Sequence, residues 1–204
     1  MLTALVEPCV ASPSVVAAIP RGGLAVAVPI AARLRAPLTL VFARKLTVPS
    51  APEFAIGAVD EDGTLLLDHA HAESVGATSE ELDRARRGAQ AEIERERAHY
   101  SAVPLAKLAR GAAVVLVDDG LATGLTMRAA IAYARRCGAR AVIVAAPCAS
   151  TSAARRLRQE ADHVLALIEA PGSFAVGGYY EDFRPVSDAE VIAILERSHA
   201  SASG

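Results

Sequence analysis

The sequence has 204 residues, of which 52% are hydrophobic and 22% charged, and its formal net charge is −2. This composition is typical of an α/β protein and argues against a disordered chain, and the charge gives no electrostatic reason to expect a nucleic acid or an anionic membrane as partner. No apolar run reaches the roughly 20 residues that a membrane span needs, no signal peptide is evident, and three cysteines without metal-ligand spacing suit a reducing cytoplasm.

Short apolar runs alternate with helical patterns along most of the chain, which we interpret as one domain covering residues 1–204. A strand at residues 14–19 leads through Pro20-Arg21-Gly22-Gly23 into a helix that ends at Leu34. Continuous apolar strands that alternate with helices indicate a parallel sheet covered on both faces. Further strands are expected at residues 38–43, 113–117, 141–146 and 163–168, and further helices at 126–137, 152–159 and 187–197.

A long charged helix is expected to begin after Thr78 and to end near Tyr100. Thr78 and Glu81 have capping-box spacing, which is typical of a helix start. Charges such as Asp83 and Arg87 are four residues apart, and we interpret them as a solvated helix face rather than a binding patch.

The chain changes character between residues 44 and 68. Asp60-Glu61-Asp62-Gly63-Thr64 separates two apolar runs, which predicts a β-hairpin reached through a flexible loop at residues 46–54. The same five residues match the nucleophile motif of haloacid-dehalogenase-type phosphatases, in which the first Asp attacks phosphorus. That fold needs its motif at the end of the first strand, so a phosphatase is a remote alternative.

The segment from Val114 to Met127, VVLVDDGLATGLTM, joins a buried strand to a helix through two adjacent acids and a loop of small residues. Ligands of open parallel sheets bind beyond the carboxyl ends of the strands, and N–H groups at a helix start form an anion site. Carboxylates are acceptors that suit the hydroxyls of a neutral diol. A phosphate beside a diol describes ribose 5-phosphate. A helix N-cap loop is the structural alternative, which explains Thr126 but not two unpaired acids.

This segment resembles the phosphoribosyl pyrophosphate motif of type I phosphoribosyltransferases: four aliphatics, two acids, two variable residues and Thr-Gly-x-Thr. The resemblance covers about residues 15–195. It is closest to a bacterial group that shares RGG, RK, NPEF-like and VDDGxATG segments, with Ala51-Pro52-Glu53-Phe54 at the NPEF-like place. It implies an α/β fold with a mainly parallel sheet flanked by helices, and a small hood formed mainly by residues 170–186.

The resemblance also implies transfer of ribose 5-phosphate from phosphoribosyl pyrophosphate to a nitrogen nucleophile, with a nucleobase expected, and magnesium that arrives with the substrate. The implied catalytic residues are Asp118, Asp119, Arg21 and Lys45, and the two acids would hold the ribose hydroxyls and reach magnesium through water. The implied 5-phosphate site is Ala122, Thr123, Gly124, Leu125 and Thr126. The implied pyrophosphate site is Arg21, Gly22, Gly23, Arg44 and Lys45. The implied base site in the hood is Phe174, Val176, Tyr180 and either Glu181 or Asp182.

The resemblance leaves several points open. Position 122 is Ala, where hypoxanthine-guanine enzymes place an aspartate proposed as the general base, so neither the acceptor nor a general base is identified. Relatives usually carry a longer segment before the first strand, which suggests a truncated start. A non-catalytic regulator that senses phosphoribosyl pyrophosphate is the alternative class, although such proteins usually carry a DNA-binding domain or a basic RNA surface. The oligomeric state is also open, and a homodimer is one alternative.

The loop after the first strand carries one further expectation from the resemblance. The corresponding loop in resembling enzymes often holds a cis peptide before its basic residue, which turns a backbone N–H towards pyrophosphate. We therefore expect the Pro20–Arg21 peptide to be cis in a liganded state.

Overall fold

The computed structural model describes residues 1–52, 54–172 and 174–202, without the side chains of residues 199–202. The strands are β1 (Ser14–Ala18), β2 (Leu38–Leu40), β3 (Ala43–Leu46), β4 (Gly57–Asp60), β5 (Leu65–Leu67), β6 (Ala113–Val117), β7 (Ala141–Ser150) and β8 (His163–Ala170). The helices are α1 (Leu2–Val6), α2 (Gly22–Leu34), α3 (His69–Ser74), α4 (Ser79–Tyr100), α5 (Leu105–Leu108), α6 (Leu125–Arg136), α7 (Thr151–Leu157) and α8 (Asp188–Ala202).

The main sheet has five parallel strands in the order β2-β1-β6-β7-β8, which confirms the expected α/β fold with a mainly parallel sheet. Alternate residues of β6 enter the two hydrophobic layers on opposite faces of the sheet. Val115 and Val117 pack with residues of α2 and α8, whereas Val114 and Leu116 pack with residues of α6 and α7. A strand buried on both faces can therefore be apolar throughout.

The segment between the second and third helices differs from the expectation. The strand expected at residues 38–43 divides in two, because the chain leaves the main sheet after Leu40 and pairs with β4 in a separate antiparallel sheet of order β3-β4-β5. Arg44 and Lys45 consequently lie within strand β3 rather than before a loop. In the expected flexible loop, Val48 and Ala51 are buried and bridge each other. Glu53 lies outside the described residues, and closure of this loop over a ligand stays a prediction.

The expected hairpin is confirmed, and its turn contains the phosphatase-like motif. Asp60 accepts hydrogen bonds from the backbone N–H groups of Asp62 and Thr64, at 3.0 and 3.1 Å, and its second oxygen binds Arg136 at 2.5 Å. Its side chain is only 2% exposed. Asp60 lies at the end of the fourth strand rather than the first, and both of its carboxylate oxygens are engaged in hydrogen bonds within the turn and with Arg136. This placement does not fit the nucleophile of a phosphatase of that type.

Helix α4 begins and ends where the sequence predicts, at Ser79 and Tyr100. The capping box of Thr78 and Glu81 is present. Asp83 and Arg87 are exposed as expected, but Ile93 and Tyr100 are buried. The interpretation of Asp83 and Arg87 as part of a solvated face agrees with their exposure, and the helix also contacts β3, β4 and α8. The unexpected elements α1, α3 and α5 are short, with six residues or fewer.

Candidate active site

A cleft of about 440 Å³ lies where β1 and β6 end side by side, with Ala18 paired to Val117. The structure brings most of the residues of the expected phosphate and ribose sites to this cleft. The cleft is lined by Arg21, Gly22, Arg44, Lys45, Asp118, Asp119, Ala122, Thr123, Gly124 and Thr126. Val176 from the expected hood and Glu92 from α4 also line it.

The two adjacent acids line the cleft, and the charge of Lys45 only partly offsets the effects that raise their pKa values. The backbone N–H of Asp119 donates to Asp118 Oδ1 at 2.9 Å. Burial raises the pKa of Asp118 well above its usual value, and the neighbouring charge of Asp119 raises it further. Burial also raises the pKa of Asp119. The positive charge of Lys45 acts in the opposite direction on both acids. Hydrogen bonds donated by a ligand would stabilise the ionised form of these two acids, so the pair favours a ligand that carries hydrogen-bond donors.

Two glycines allow the loop after β1 to lie against the acids. A Cβ atom at Gly22 would overlap the carboxylate of Asp119, and a Cβ atom at Gly23 would lie 2.6 Å from the carbonyl oxygen of Val117. The resemblance places these glycines in the pyrophosphate site, and the structure adds that they make room for the acid pair. The peptide bond between Pro20 and Arg21 is cis, and its conformation in a liganded state stays a prediction.

The loop between β6 and α6 has a conformation that suits the expected anion site, whose role stays a prediction. Gly124 precedes the helix with φ of +78°, a conformation that favours glycine, and Thr123 Oγ1 lies 3.4 Å from the backbone nitrogen of Leu125. Gly124 and Thr126 line the cleft, so the N–H groups at the start of this 12-residue helix lie on the cleft side of the fold.

The long strand β7 supports that loop, which the sequence did not reveal. Leu121 bridges to β7 through hydrogen bonds with Cys148 and Ser150. Ser150 is buried, and its hydroxyl donates to the carbonyl oxygen of Ala122 at 2.6 Å. The expected strand stopped at residue 146, because Pro147 interrupts the apolar run and proline usually marks the end or edge of a strand.

Arg44 and Lys45 are neighbours in the sequence, but their side chains leave opposite faces of β3 because strand residues alternate. Lys45 acts on the acid pair. Arg44 forms an ion pair with Glu96 of α4, and its Nε lies 3.9 Å from Glu92 Oε2. The two cations therefore approach the cleft from different sides.

Arg21 is also held by a carboxylate that the sequence did not suggest. Its Nη1 lies 3.3 Å from Asp188 Oδ1 at the start of α8. Tyr100 Oη donates to the same oxygen at 2.6 Å, and this hydrogen bond, with Arg21, lowers the pKa of Asp188. Asp188 is 167 residues from Arg21, so only the tertiary fold brings the pair together.

The expected hood meets the acid loop through two side chains. Val176 packs so closely on Gly120 that a Cβ atom there would lie 2.5 Å from Val176 Cγ1. Tyr180 donates to the carbonyl oxygen of Asp119 at 2.6 Å. Burial raises the pKa of this phenol, which keeps it a donor.

Three other residues of the expected hood do not line the cleft: Phe174, Glu181 and Asp182. Phe174 stacks on Tyr179 with ring centroids 5.0 Å apart. Asp182 accepts two hydrogen bonds from Arg184, one from its backbone and one from Nε. Neither Glu181 nor Asp182 is part of the cleft wall, so their assignment to the base or to magnesium stays a prediction.

The donor set can be tested for its fit to magnesium. Within residues 1–52, 54–172 and 174–202, no three His, Cys, Asp or Glu side chains group together as a metal cage. Two adjacent carboxylates at an open cleft nevertheless suit this ion, because Mg²⁺ keeps several waters and is commonly bound by one or two carboxylates plus substrate phosphates. The residues fit magnesium that is shared with a phosphate ligand.

Comparison with known proteins shows that the chain belongs to the phosphoribosyl transferase domain family, whose model matches residues 7–182. Over 189 residues it is 38% identical to two Mycobacterium tuberculosis proteins, "Putative phosphoribosyl transferase Rv0571c" and its counterpart MT0597. These alignments cover 91% of this chain and 42% of each relative, so the chain spans less than half of their length.

The crystal structure of the protein TT1426 from Thermus thermophilus shares the fold with a TM-score of 0.77 and 38% identity. The match covers 96% of this chain and 93% of that one. The expected family and fold are thereby confirmed. In the described part of the chain, none of the helices is long and apolar enough to cross a membrane.

The repulsion between the acids predicts a pH-dependent gain in stability for Asp118→Asn. Because the folded pKa of Asp118 lies above the unfolded value near 3.8, the native protein loses stability as the pH rises through that interval. Asn stays neutral. The variant should therefore gain about 1.4 kcal/mol at pH 7 for each unit by which the pKa is raised, and little at pH 4.

Urea unfolding at pH 4 and pH 7 measures this difference. Asp83→Asn is the matched control, since it removes one carboxylate from an exposed position of α4. Equal gains for Asp118→Asn at both pH values, or a loss at pH 7, would contradict the account of the acid pair.

Proposed function

We propose that the cleft binds phosphoribosyl pyrophosphate and that the protein transfers the ribose 5-phosphate group to a nitrogen nucleophile, releasing pyrophosphate. The observation that carries this proposal is the convergence of three features on one cleft: the anion loop at Thr123 and Gly124, the acids Asp118 and Asp119, and the Arg21–Gly22 loop. Membership of the phosphoribosyl transferase domain family supports it.

The 5-phosphate would bind in the loop of residues 122–126. Backbone N–H groups at the start of α6 point towards an anion, and the helix dipole adds a partial positive charge. The hydroxyls of Thr123 and Thr126 supply further donors. Ala122 contributes its backbone and a small side chain, which leaves space for the phosphate.

The ribose hydroxyls would donate to Asp118 and Asp119. Each carboxylate accepts hydrogen bonds and donates none when it is ionised, so a vicinal diol complements the pair. Hydrogen bonds to the charged form also lower a carboxyl pKa, which offsets the burial that raises it in the free protein.

Pyrophosphate would lie between Arg21, Gly22, Gly23 and Lys45, with Arg44 at the edge of the cleft. Arginine offers a planar fork to phosphate oxygens, and lysine offers a compact charge. Magnesium would be held through water by Asp118 and Asp119, and when bound it neutralises charge on the diphosphate.

Transfer at the ribose C1 atom passes through an oxocarbenium-like state in this scheme. The protein's own residues would act mainly by position and charge: the acids fix the sugar, and Arg21 and Lys45 stabilise negative charge that develops on the departing pyrophosphate. The chain supplies no side-chain base at position 122, which is Ala. An acceptor that needs little help in losing its proton is therefore favoured.

A nucleobase is the acceptor that we propose. Val176 lines the cleft, and the aromatic residues Phe174 and Tyr180 lie in the same segment. Val176 offers an apolar contact to the face of a flat heteroaromatic ring, and the aromatic residues lie beside it in the chain. Purified protein with phosphoribosyl pyrophosphate and magnesium should release pyrophosphate in the presence of one member of a panel of purines, pyrimidines and amines. Tight binding of phosphoribosyl pyrophosphate without turnover of any acceptor would favour the sensing regulator instead.

The anion loop predicts a selective defect for Gly124→Val. Gly124 has φ of +78°, which a β-branched side chain resists, so valine there should change the backbone that presents N–H groups to a phosphate. Ribose 5-phosphate should raise the melting temperature of the wild-type protein and leave that of Gly124→Val unchanged.

Gly138→Val provides the matched control for this variant. Gly138 has φ of +85° and follows the other end of α6, so valine there imposes a similar backbone strain away from the cleft. This control should be less stable than wild type yet still protected by ribose 5-phosphate. Protection of Gly124→Val equal to that of the control would show that the phosphate loop is misassigned.

A further inference from the structure

The second half of helix α4 lies along the basic side of the cleft. Glu92, Glu96 and Tyr100 are spaced four residues apart, which places them on one face of the helix. Glu92 lines the cleft, Glu96 binds Arg44, and Tyr100 contacts Asp188, the partner of Arg21. One face of α4 therefore reaches both arginines that the proposed function assigns to pyrophosphate.

The Arg44 contact is partly shielded from solvent. Glu96 Oε1 accepts a hydrogen bond from Arg44 Nη2, and the Glu96 side chain is 28% exposed. A guanidinium group has five N–H donors, so a bond to one carboxylate leaves others for a ligand. Burial raises the pKa of Glu96, while the charge of Arg44 acts to lower it.

The Arg21 contact depends on a rigid aromatic side chain. Tyr100 is 5% exposed, and its ring lies nearly parallel to that of Phe42, with centroids 6.4 Å apart. Its hydroxyl donates to Asp188 Oδ1 at 2.6 Å, the oxygen that lies 3.3 Å from Arg21 Nη1. His99 Nε2 lies 3.8 Å from the other oxygen of Asp188. Packing of Tyr100 thus fixes the carboxylate that Arg21 binds.

Glu96 and Asp188 each bind an arginine of the cleft wall without lining the cleft themselves, whereas Glu92, 3.9 Å from Arg44 Nε, does line it. Arg21 and Arg44 are part of the cleft wall, whereas Glu96, Tyr100 and Asp188 are not. This is the arrangement by which a second layer of residues orients the groups that touch a ligand. Glu96 and Asp188 would then orient the arginines without filling the place where an anion binds.

Two opposite effects on anion binding follow from such carboxylates. An arginine side chain loses much conformational freedom when it binds a ligand, and a protein that fixes it beforehand reduces that loss. The negative charges of Glu96 and Asp188 repel an anion; solvent screens the charge of Asp188, which is about half exposed, and the paired charge of Arg44 offsets that of Glu96. Fixing of the side chains should dominate.

We propose that Glu96, Tyr100 and Asp188 are positioning residues that hold the guanidinium groups of Arg44 and Arg21 at the cleft for a diphosphate. This inference rests on the proposed function and extends it to residues of α4 and α8. These residues act on the diphosphate end of the ligand and leave the 5-phosphate end unaffected.

Calorimetric titration with magnesium pyrophosphate and, separately, with ribose 5-phosphate tests the inference. Glu96→Ala and Tyr100→Phe should each weaken pyrophosphate binding, by about three- to ten-fold, which is the loss expected when a long side chain is no longer fixed. Ribose 5-phosphate affinity should change less than two-fold. Glu96→Gln keeps a hydrogen-bond acceptor for Arg44 and should restore most of the pyrophosphate affinity.

The variants have matched controls. Tyr100→Phe removes only a hydroxyl from a packed ring, so its fold is preserved even if Glu96→Ala is unstable. Glu80→Ala removes an exposed carboxylate that pairs with Arg84 in the first turns of the same helix, and it should bind both ligands as the wild type does.

Three results would overturn the inference, and they differ in what else they imply. Unchanged or tighter pyrophosphate binding by Glu96→Ala and Tyr100→Phe would show that the carboxylates only offset charge, with the proposed function intact. Binding of ribose 5-phosphate but not pyrophosphate by the wild type would remove the diphosphate from the cleft. Binding of neither ligand by the wild type would reject the proposed function together with the inference.

Discussion

The close approach of two chain segments at the carboxyl ends of β1 and β6 is the constraint on which the cleft depends. Gly22 and Gly23 lie against Asp119 and Val117 so tightly that any Cβ atom would displace the acids. The parallel pairing of β1 and β6 creates this contact, and it leaves two carboxylates side by side with raised pKa values. Such a pair contributes little to the stability of the fold, and we therefore infer that it binds a ligand.

The remainder of the structure serves to bring donors and cations to that pair. The extended end of β7 holds the anion loop through Ser150, and the small sheet places Lys45 on one side and Arg44 on the other. Helix α4 then connects the small sheet to the loop that carries Arg21 through Tyr100 and Asp188. We therefore propose that the start of α6 binds the 5-phosphate. The loop after β1, together with β3 and α4, would bind the diphosphate.

Much of this arrangement could be predicted from the sequence, and the failures have physical causes. Apolar runs such as residues 113–117 specify buried parallel strands, and the acid-rich segment after them indicated the cleft. The role of α4 was missed because the spacing of Glu92 and Glu96 looks the same on a solvated helix and on a helix facing a site. The pairing of Arg21 with Asp188 could not be foreseen either, since it joins residues far apart in the chain.

In the proposed function, the loop at residues 122–126 holds the phosphate of a ribose 5-phosphate group beside the acid pair. Titration of ¹⁵N-labelled protein with ribose 5-phosphate, followed by amide chemical shifts, can locate this phosphate. We expect the largest shifts on Thr123, Gly124, Leu125 and Thr126, and we expect them to saturate together with those of Asp118 and Asp119. Saturable shifts confined to other parts of the fold, with these amides unmoved, would contradict this placement of the phosphate.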